Sequence, residues 1–342
     1  MPNLLAHRLF IDNIIQCNSL EEKEIIALRL GTQGPDPMFY HGIIPWRSWH
    51  FIIALKKIGN KLHKENGRRF FLELKNECEK IKNPEEKKIF AAFCFGQISH
   101  LLLDRSAHPF IYYFSGFDDD GRITGRFHYE HANYESEIDC ILATKNAAID
   151  FREKTFECLP YDKSVYKIID KNLVPVLNKM YGVKLYKKYY SNSICNFRSM
   201  QKMTTNKLLR ILGKDNMFKA LYTPNHVEKD VMNEKKAIWK NPVTGNESKE
   251  TFYDLFDKAQ DIAIKAFEMF KQKGAVCVEM EGASIAAVCE YKKLKYFTFY
   301  YAGDNLDAVE WEERSLGQLT SFEKKARVPY LAFELARKIE CK

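Results

Sequence analysis

The chain has 342 residues, 46% of them hydrophobic, and a formal net charge of +8 at pH 7. A chain of this length can bury a sizeable core, in one large domain or in two smaller ones. No apolar run approaches the ~20 residues of a membrane-spanning helix, so we expect a soluble or peripheral protein rather than an integral membrane protein. The positive charge suits an anionic substrate, although these charges are spread along helix-like patterns that are typical of a solvated face.

In chain order, apolar residues recur at helical spacing down to about residue 270. Helices are predicted near 3–17, 47–63, 67–82, 85–113, 129–149, 163–182, 204–212 and 250–272. Gly, Pro and Asp residues break the pattern at 31–37, 115–125 and 241–247. The acidic stretch 117–121 lacks the remaining ligands of a calcium loop and is predicted to be a polar turn.

The pattern changes at residue 274. From there, β-like runs and helices alternate, at 274–280, 281–293, 296–302 and 321–339. Such a β-α-β-α unit has apolar strands that are normally covered on both faces. We therefore predict two parts, a mostly α, all-helical domain at 1–272 and a short α/β segment at 273–342.

The nine cysteines are odd in number and form no Cys-x-x-Cys pair. Cys94, Cys277 and Cys289 lie among apolar neighbours and are predicted to be core thiols. The chain opens with Met1 and Pro2, without a charged-then-apolar signal segment. We therefore expect a protein of the reducing cytoplasm.

Histidines and carboxylates stand four residues apart in two short stretches. His100 and Asp104 form the first pair, and His131 and Glu135 form the second, with Asp139 continuing the second face. Positions i and i+4 of an α-helix lie on one face, one turn apart, so each pair can hold an ion between its side chains. Imidazole and carboxylate ligands suit zinc, and a site without cysteine is more often catalytic than structural.

A single His-x-x-x-Asp pair is usually a surface or capping pair, so one pair alone would predict little. Here a further histidine, His108, falls among the two pairs. Residues 89–104 are also apolar nearly all round, which is typical of a buried helix. Charge is seldom buried there without a partner or an ion. Hydrolytic metal chemistry is therefore the interpretation that we favour.

The chain resembles the zinc-dependent phospholipase C family, all-helical trinuclear zinc phosphodiesterases whose fold is shared by P1-type nucleases. The resemblance rests on ordered motifs at 1–7, 31–41, 58–63, 96–109 and 131–139, and on 239–245 before a closing helix. It implies an all-helical phospholipase C-like and P1 nuclease-like domain over residues 1–272.

The resemblance also implies a set of zinc ligands. The first ion would take Asp36, His63, His100 and Asp104. The second would share Asp104 and take His7, and the third would take His108, His131 and Glu135. In the family the second ion is completed by an N-terminal tryptophan, whereas this chain begins with Met1. Two or three Zn²⁺ ions are therefore implied.

By the same resemblance, Asp36 is the candidate catalytic base that takes the proton of the attacking water. The alternative for Asp36 is a turn residue within Gly-Pro-Asp-Pro. A choline head group would require an aromatic cage. Four aromatic residues lie near Asp36 in the sequence and are predicted instead to be core residues, namely Phe39, Tyr40, Trp46 and Trp49.

We expect a phosphodiester substrate, with a phospholipid ranked first and peripheral contact with a membrane. Nucleic acid, cut by the same ions as in a P1-type nuclease, ranks second. A non-catalytic protein that binds metal or docks a partner is a further alternative.

The C-terminal segment carries a second resemblance, to nucleoside phosphorylases of the uridine and purine type, at 278–288, 302–307 and 311–314. In that family a Glu-Met-Glu segment holds the ribose and an acid faces the base. The candidate nucleoside-binding residues are therefore Glu279, Met280, Glu281 and Asp304. The glycine-rich phosphate loop and most of the central sheet have no counterpart, so a nucleoside phosphorylase-like or nucleoside-binding protein is the alternative from another functional class.

Overall fold

The computed structural model describes residues 4–42, 58–63, 67–117, 126–145, 155–204 and 227–273. Internal contacts divide the chain into Met1–Gly274 and Ala275–Lys342, and every described residue belongs to the first unit. Several predicted features lie outside the described residues: most of the helices at 47–63 and 204–212, the acidic turn beyond residue 117, the β-α-β-α segment, the thiols Cys277 and Cys289, Trp46 and Trp49, and the nucleoside-binding candidates Glu279, Met280, Glu281 and Asp304.

The described part of the chain is mostly α-helical, which confirms the predicted fold class. In chain order, the helices are α1 (Leu4–Gln16), α2 (Glu22–Gly31), α3 (Arg68–Glu79), α4 (Pro84–Ser115), α5 (Arg126–Lys145), α6 (Lys163–Tyr181), α7 (Tyr189–Thr204) and α8 (Phe252–Lys273). Short 3-10 helices span Asp36–Tyr40 and Thr155–Cys158, and residues 58–63 are helical. Two short strands, β1 (Trp239–Lys240) and β2 (Glu247–Ser248), pair antiparallel before α8.

Helix α4 runs through the core and carries three of the predicted ligands. It begins at a well-formed cap, since the side chain of Asn83 accepts a hydrogen bond of 3.0 Å from the backbone N–H of Glu86. Proline follows at the first helical position, where its missing N–H costs nothing. Phe90, Phe93 and Phe95 are fully buried, so the buried helix predicted over residues 89–104 is confirmed.

Helices α2 and α4 approach closely because two glycines face each other. A Cβ atom added to Gly96 would lie 2.8 Å from the Cα atom of Gly31, and one added to Gly31 would overlap the carbonyl oxygen of Phe93. Gln97 on α4 donates hydrogen bonds from Nε2 to the carbonyl oxygens of Gly31 (3.0 Å) and Gly34 (3.3 Å). The turn after α2 is therefore held directly against α4, which places Asp36 beside the histidines of that helix.

The hairpin of β1 and β2 packs against α4. The indole of Trp239 packs edge-on against Phe110 of α4, with ring centroids 5.5 Å apart, and its Nε1–H donates to the carbonyl of Glu250 at 3.0 Å.

Cys94 is buried, as predicted for a core thiol, and the described cysteines are all free thiols. None of the described helices is long and apolar enough to cross a membrane.

Candidate metal centre

Histidine and carboxylate side chains from five segments converge on one side of α4. They are His7 from α1, Asp36 from the first 3-10 helix, His63 from residues 58–63, His100, Asp104 and His108 from α4, and His131 and Glu135 from α5. Their ligand atoms form three groups, each with all its atoms within 4.8 Å of one another. The structure thus brings together the residues that the family resemblance implies as zinc ligands.

The first group consists of Asp36, His63 and His100. Nε2 of His63 lies 3.1 Å from Oδ1 of Asp36. The other ring nitrogen, Nδ1, faces a backbone carbonyl in both histidines, that of Gly59 at 3.0 Å for His63 and that of Thr32 at 3.1 Å for His100. A carbonyl can only accept, so each Nδ1 carries a proton, and Nε2 has a lone pair whenever the ring is neutral. This is the arrangement that orients a histidine for metal binding.

The second group consists of His7, His100 and Asp104. The two carboxylate oxygens of Asp104 lie 3.2 Å from Nε2 of His7 and 3.1 Å from Nε2 of His100. The Nε2 atom of His100 is buried and forms no well-directed hydrogen bond with any described residue. Buried polar atoms are normally paired, so this nitrogen beside the carboxylate of Asp104 fits a place for a cation.

The third group consists of His108, His131 and Glu135. Oε1 of Glu135 lies 3.1 Å from Nε2 of His131 and 3.5 Å from Nε2 of His108. His108 also lies 3.7 Å from Oδ1 of Asp104, so the second and third groups adjoin each other through that carboxylate. Because His100, Asp104 and His108 are successive i+4 neighbours, a single face of α4 serves all three groups.

The carboxylates of the centre are ionised. Burial alone would raise the pKa of Asp104 and of Glu135, but the neighbouring histidines lower both values well below the usual range. The pKa of Asp36 is lowered in the same way, by its hydrogen bond with His63 and by the charge of His100, against the opposing effect of burial. These buried negative charges attract protons or metal cations into the site.

Asp139 connects two of the helices that carry the predicted ligands. Its two carboxylate oxygens each accept a 3.0 Å hydrogen bond from the backbone, from the N–H of Leu5 and from the N–H of Ala6. These amides stand immediately before His7, so Asp139 connects α5 to the start of α1 and helps to set the position of this predicted ligand. Burial raises the pKa of Asp139 to about 8, against the lowering effect of the two hydrogen bonds.

Glycine is required at position 34, beneath the ring of His100. Its φ of 55° lies in the left-handed region. A Cβ atom at this position would also overlap the imidazole of His100. Both the backbone conformation and the space therefore exclude a larger residue.

Of the four aromatic residues near Asp36 in the sequence, two are described. Tyr40 is buried and stacks on Phe197 with ring centroids 4.1 Å apart, as predicted for a core residue. Phe39 is only partly buried and lies 5.4 Å from the ring of His63, at the edge of the first group. It therefore borders the site as well as the core.

Tyr112 also belongs to the surroundings of the site, although the sequence patterns above did not single it out. Its ring stacks on His131 with centroids 5.0 Å apart and an angle of 28° between the ring planes. Burial, followed by the charges of Glu135 and Asp104, raises the pKa of Tyr112 to about 12. A signal was present, because Tyr112 extends the four-residue spacing of the α4 ligands by one more turn of the helix.

The model of a family described as zinc dependent phospholipase C matches residues 17–186 of the chain. The match includes every predicted ligand except His7. Comparison with curated proteins and with solved structures found no match. The resemblance of the C-terminal segment to nucleoside phosphorylases receives no support from these comparisons. Over the matched residues the chain is similar to the zinc-dependent phospholipase C family, and the helical fold and the three histidine–carboxylate groups agree with that similarity.

Proposed function

We propose that the protein is a zinc-dependent phosphodiester hydrolase of the phospholipase C type. The observation that carries the proposal is the sharing of ligands: His100 belongs to two groups, and Asp104 lies 3.1–3.7 Å from His7, His100 and His108. A carboxylate between several imidazoles can bridge neighbouring cations. Adjacent cations suit phosphodiester chemistry, where the attacking and leaving oxygens both need stabilisation.

The ligand assignment follows the three groups. Asp36, His63, His100 and Asp104 would hold one ion, Asp104 would be shared with a second ion that also takes His7, and His108, His131 and Glu135 would hold a third. Bound zinc would lower the pKa of a water molecule toward neutrality and polarise the phosphoryl group. The imidazole and carboxylate donors, without cysteine, match the usual ligands of catalytic zinc sites.

Asp36 is the proposed general base. Its low pKa keeps it ionised at neutral pH, which a proton acceptor requires. The alternative role, a turn residue, would direct its side chain to nearby backbone amides. Instead, Oδ1 faces Nε2 of His63, and the turn is closed by backbone hydrogen bonds, such as the 3.2 Å bond from the N–H of Asp36 to the carbonyl of Gln33. This direction supports the role in the site.

We propose a phospholipid as the substrate, reached by peripheral contact with a membrane surface. The name of the matching family and the net charge of +8 support an anionic phosphodiester. Nucleic acid has the same ester and is the alternative outcome of the test. The nucleoside-binding alternative rests on residues outside the described part of the chain and is not proposed.

The test is turnover by the zinc-loaded full chain on a panel of phosphodiesters. The panel contains phosphatidylcholine, phosphatidylethanolamine and phosphatidylinositol vesicles, a soluble nitrophenyl phosphodiester, and single-stranded DNA and RNA. We expect release of a phosphorylated head group from at least one lipid, loss of this activity with a chelator, and its recovery with zinc. Cleavage of nucleic acid alone, with a steep salt dependence, would instead identify a nuclease. If the protein takes up zinc but turns over none of these substrates, it is a non-catalytic metal-binding protein and the proposal is refuted.

A further inference from the structure

Tyr112 lies beside the proposed metal centre and is neither a proposed metal ligand nor the proposed base. It lies on the face of α4 that carries His100, Asp104 and His108, one turn beyond the last of them. Its ring stacks on that of His131 and lies 5.4 Å from the ring of His108. Two histidines of the third group therefore hold the phenol ring in place.

The hydroxyl of Tyr112 is available to a ligand. No described residue forms a hydrogen bond with it, and the side chain is half-buried rather than enclosed. Three other tyrosines of the fold differ in this respect: the hydroxyls of Tyr134, Tyr166 and Tyr190 donate to backbone carbonyls at 2.8, 2.9 and 3.1 Å. Those phenols stabilise the fold, whereas that of Tyr112 has no such structural partner among the described residues.

Tyr112 also lies on the side of the site, because its ring contacts two histidines of the third group and its position on α4 follows the 100, 104, 108 spacing. A phenol remains protonated at neutral pH and is therefore a neutral hydrogen-bond donor. Such a donor can contact an anion at a cation site without competing for the metal.

We propose that Tyr112 is a substrate-binding residue whose hydroxyl donates a hydrogen bond to a non-bridging phosphoryl oxygen at the group of His108, His131 and Glu135. The inference rests on the proposed function and adds a residue that contacts the phosphoryl group. Stacking on His131 fixes the ring before substrate arrives, so little side-chain freedom is lost when the hydrogen bond forms. The bond stabilises the bound phosphoryl group in both the substrate and the transition state, so its loss should raise KM more than it lowers kcat.

The test compares Tyr112→Phe with Tyr113→Phe in the zinc-loaded full chain. The first variant keeps the stacked ring and removes only the hydroxyl. The second removes a hydroxyl from the exposed neighbouring tyrosine, whose ring lies against Phe114 and Trp239. The measurements are zinc content and the affinity for inorganic phosphate by titration calorimetry. We expect phosphate to bind roughly tenfold more weakly to Tyr112→Phe, as for one lost hydrogen bond to a charged group, and zinc content and Tyr113→Phe to be unchanged.

Phosphate binding separates this inference from the proposed function. If the zinc-loaded protein binds phosphate through Tyr112 but cleaves no phosphodiester, the proposed function fails and the phosphoryl contact stands. Equal phosphate affinity in wild type and Tyr112→Phe would overturn the inference. Loss of zinc from Tyr112→Phe would also overturn it, because the hydroxyl would then support the metal ligands rather than the substrate. A wild-type protein that takes up zinc but binds no phosphate would overturn it as well.

Discussion

The rings of His7 and His100 are stacked, with centroids 4.3 Å apart and an angle of 26° between their planes. Two protonated imidazoles would repel each other at this distance, and the pKa values separate accordingly. The pKa of His7 is lowered, first by burial and then by the charge of His100. That of His100 is raised to about 9, because Asp104 outweighs the opposing effect of burial. These directions place the positive charge of the pair on His100, and a metal cation could replace that proton.

The first prediction concerns this replacement. The purified protein should contain two or three zinc ions per chain, as the family resemblance implies, and chelation should lower its melting temperature as well as abolish activity. Removal of the metal leaves the negative charges of the buried carboxylates Asp104 and Glu135 less fully compensated, and a ligand that binds only the folded state stabilises it. Elemental analysis and thermal unfolding with and without chelator provide the measurements. A metal-free, well-folded preparation that zinc neither stabilises nor activates would refute the metal centre.

The second prediction distinguishes Asp104, a proposed metal ligand, from Asp139, which hydrogen-bonds to the backbone. Asp104→Asn should lose more zinc and more activity than Asp139→Asn, because Asp104 faces three histidines whereas Asp139 contacts the backbone at Leu5 and Ala6. Asp139→Asn should chiefly lower the free energy of unfolding, by about 1–3 kcal/mol, since its amide group would face a backbone N–H.

Zinc content, turnover and chemical denaturation of both variants test that order. Asp257→Asn on the exposed face of α8 is the matched control and should change none of the three measurements. Small, equal effects of Asp104→Asn and Asp139→Asn would show that the ligand set implied by the family resemblance is wrong for this chain.

The third prediction uses two glycines that share a conformation but differ in surroundings. Gly34 and Gly182 both have positive φ, 55° and 63°, but a Cβ atom at Gly182 would meet nothing within 4 Å. Gly182→Ala should therefore cost about 1–2 kcal/mol of stability, the cost of the left-handed conformation alone. Gly34→Ala should cost more and should reduce zinc content, because its methyl group overlaps the ring of His100. Urea unfolding and zinc analysis of both variants decide this, and equal effects would contradict it.

The fourth prediction concerns the pH dependence of stability at His41. Its ring is buried between two hydroxyls, with Nδ1 2.9 Å from Oγ of Ser193 and Nε2 3.0 Å from the hydroxyl of Tyr186. The hydroxyl of Ser193 donates in turn to the carbonyl of Tyr189, so Nδ1 carries the proton and Nε2 accepts. The neutral ring fits this network, and burial lowers the pKa of His41 to about 4 from its ordinary value of 6.5.

Because the unfolded chain binds this proton more readily, the stabilising contribution is complete above pH ~6.5 and is lost as the pH falls toward ~4. The loss from His41 should reach about 3 kcal/mol. The measurement is the difference between wild type and His41→Gln in the slope of unfolding free energy against pH. The variant should have the shallower slope over this range whatever its stability at neutral pH, and parallel slopes would rule out a role for His41.

The fifth prediction separates the two resemblances of the chain. Glu281→Ala and Asp304→Asn in the full chain should leave phosphodiester hydrolysis unchanged, because the proposed ligands all precede residue 136. Kinetics of both variants on the substrate identified in the panel provide the check. Phosphate-dependent release of a free base from a nucleoside, abolished by Glu281→Ala, would make the C-terminal segment the functional one.

Whether a residue of the site could be predicted from the sequence depended on how far apart in the chain the interacting residues lie. The pairs His100 and Asp104, and His131 and Glu135, could be placed from the sequence because helical periodicity alone brings positions i and i+4 together. The same reasoning could have extended to Tyr112. That His7, Asp36 and His63 belong to the same site came only from the family resemblance, since no local rule relates residues so far apart in the chain.

Two helices were not predicted from the sequence, for a related reason. Helix α2 is short and rich in charged residues, so its apolar pattern is weak, and what identifies it locally is the capping box of Glu21 and Glu24. Its position depends on the contact between Gly31 and Gly96. Helix α7 contains many Tyr, Ser and Asn residues, which have only moderate helix propensity.

The start of α7 is stabilised from outside the helix. Asp170 of α6 accepts hydrogen bonds from the backbone N–H groups of Tyr190 (2.8 Å) and Ser191 (3.2 Å). The sequence by itself determined the helical class and the proximity of the proposed ligand pairs within α4 and α5, because those depend on the geometry of a single helix. Only the tertiary structure decided which distant residues meet there, because glycine contacts and hydrogen bonds between helices set how closely the segments approach.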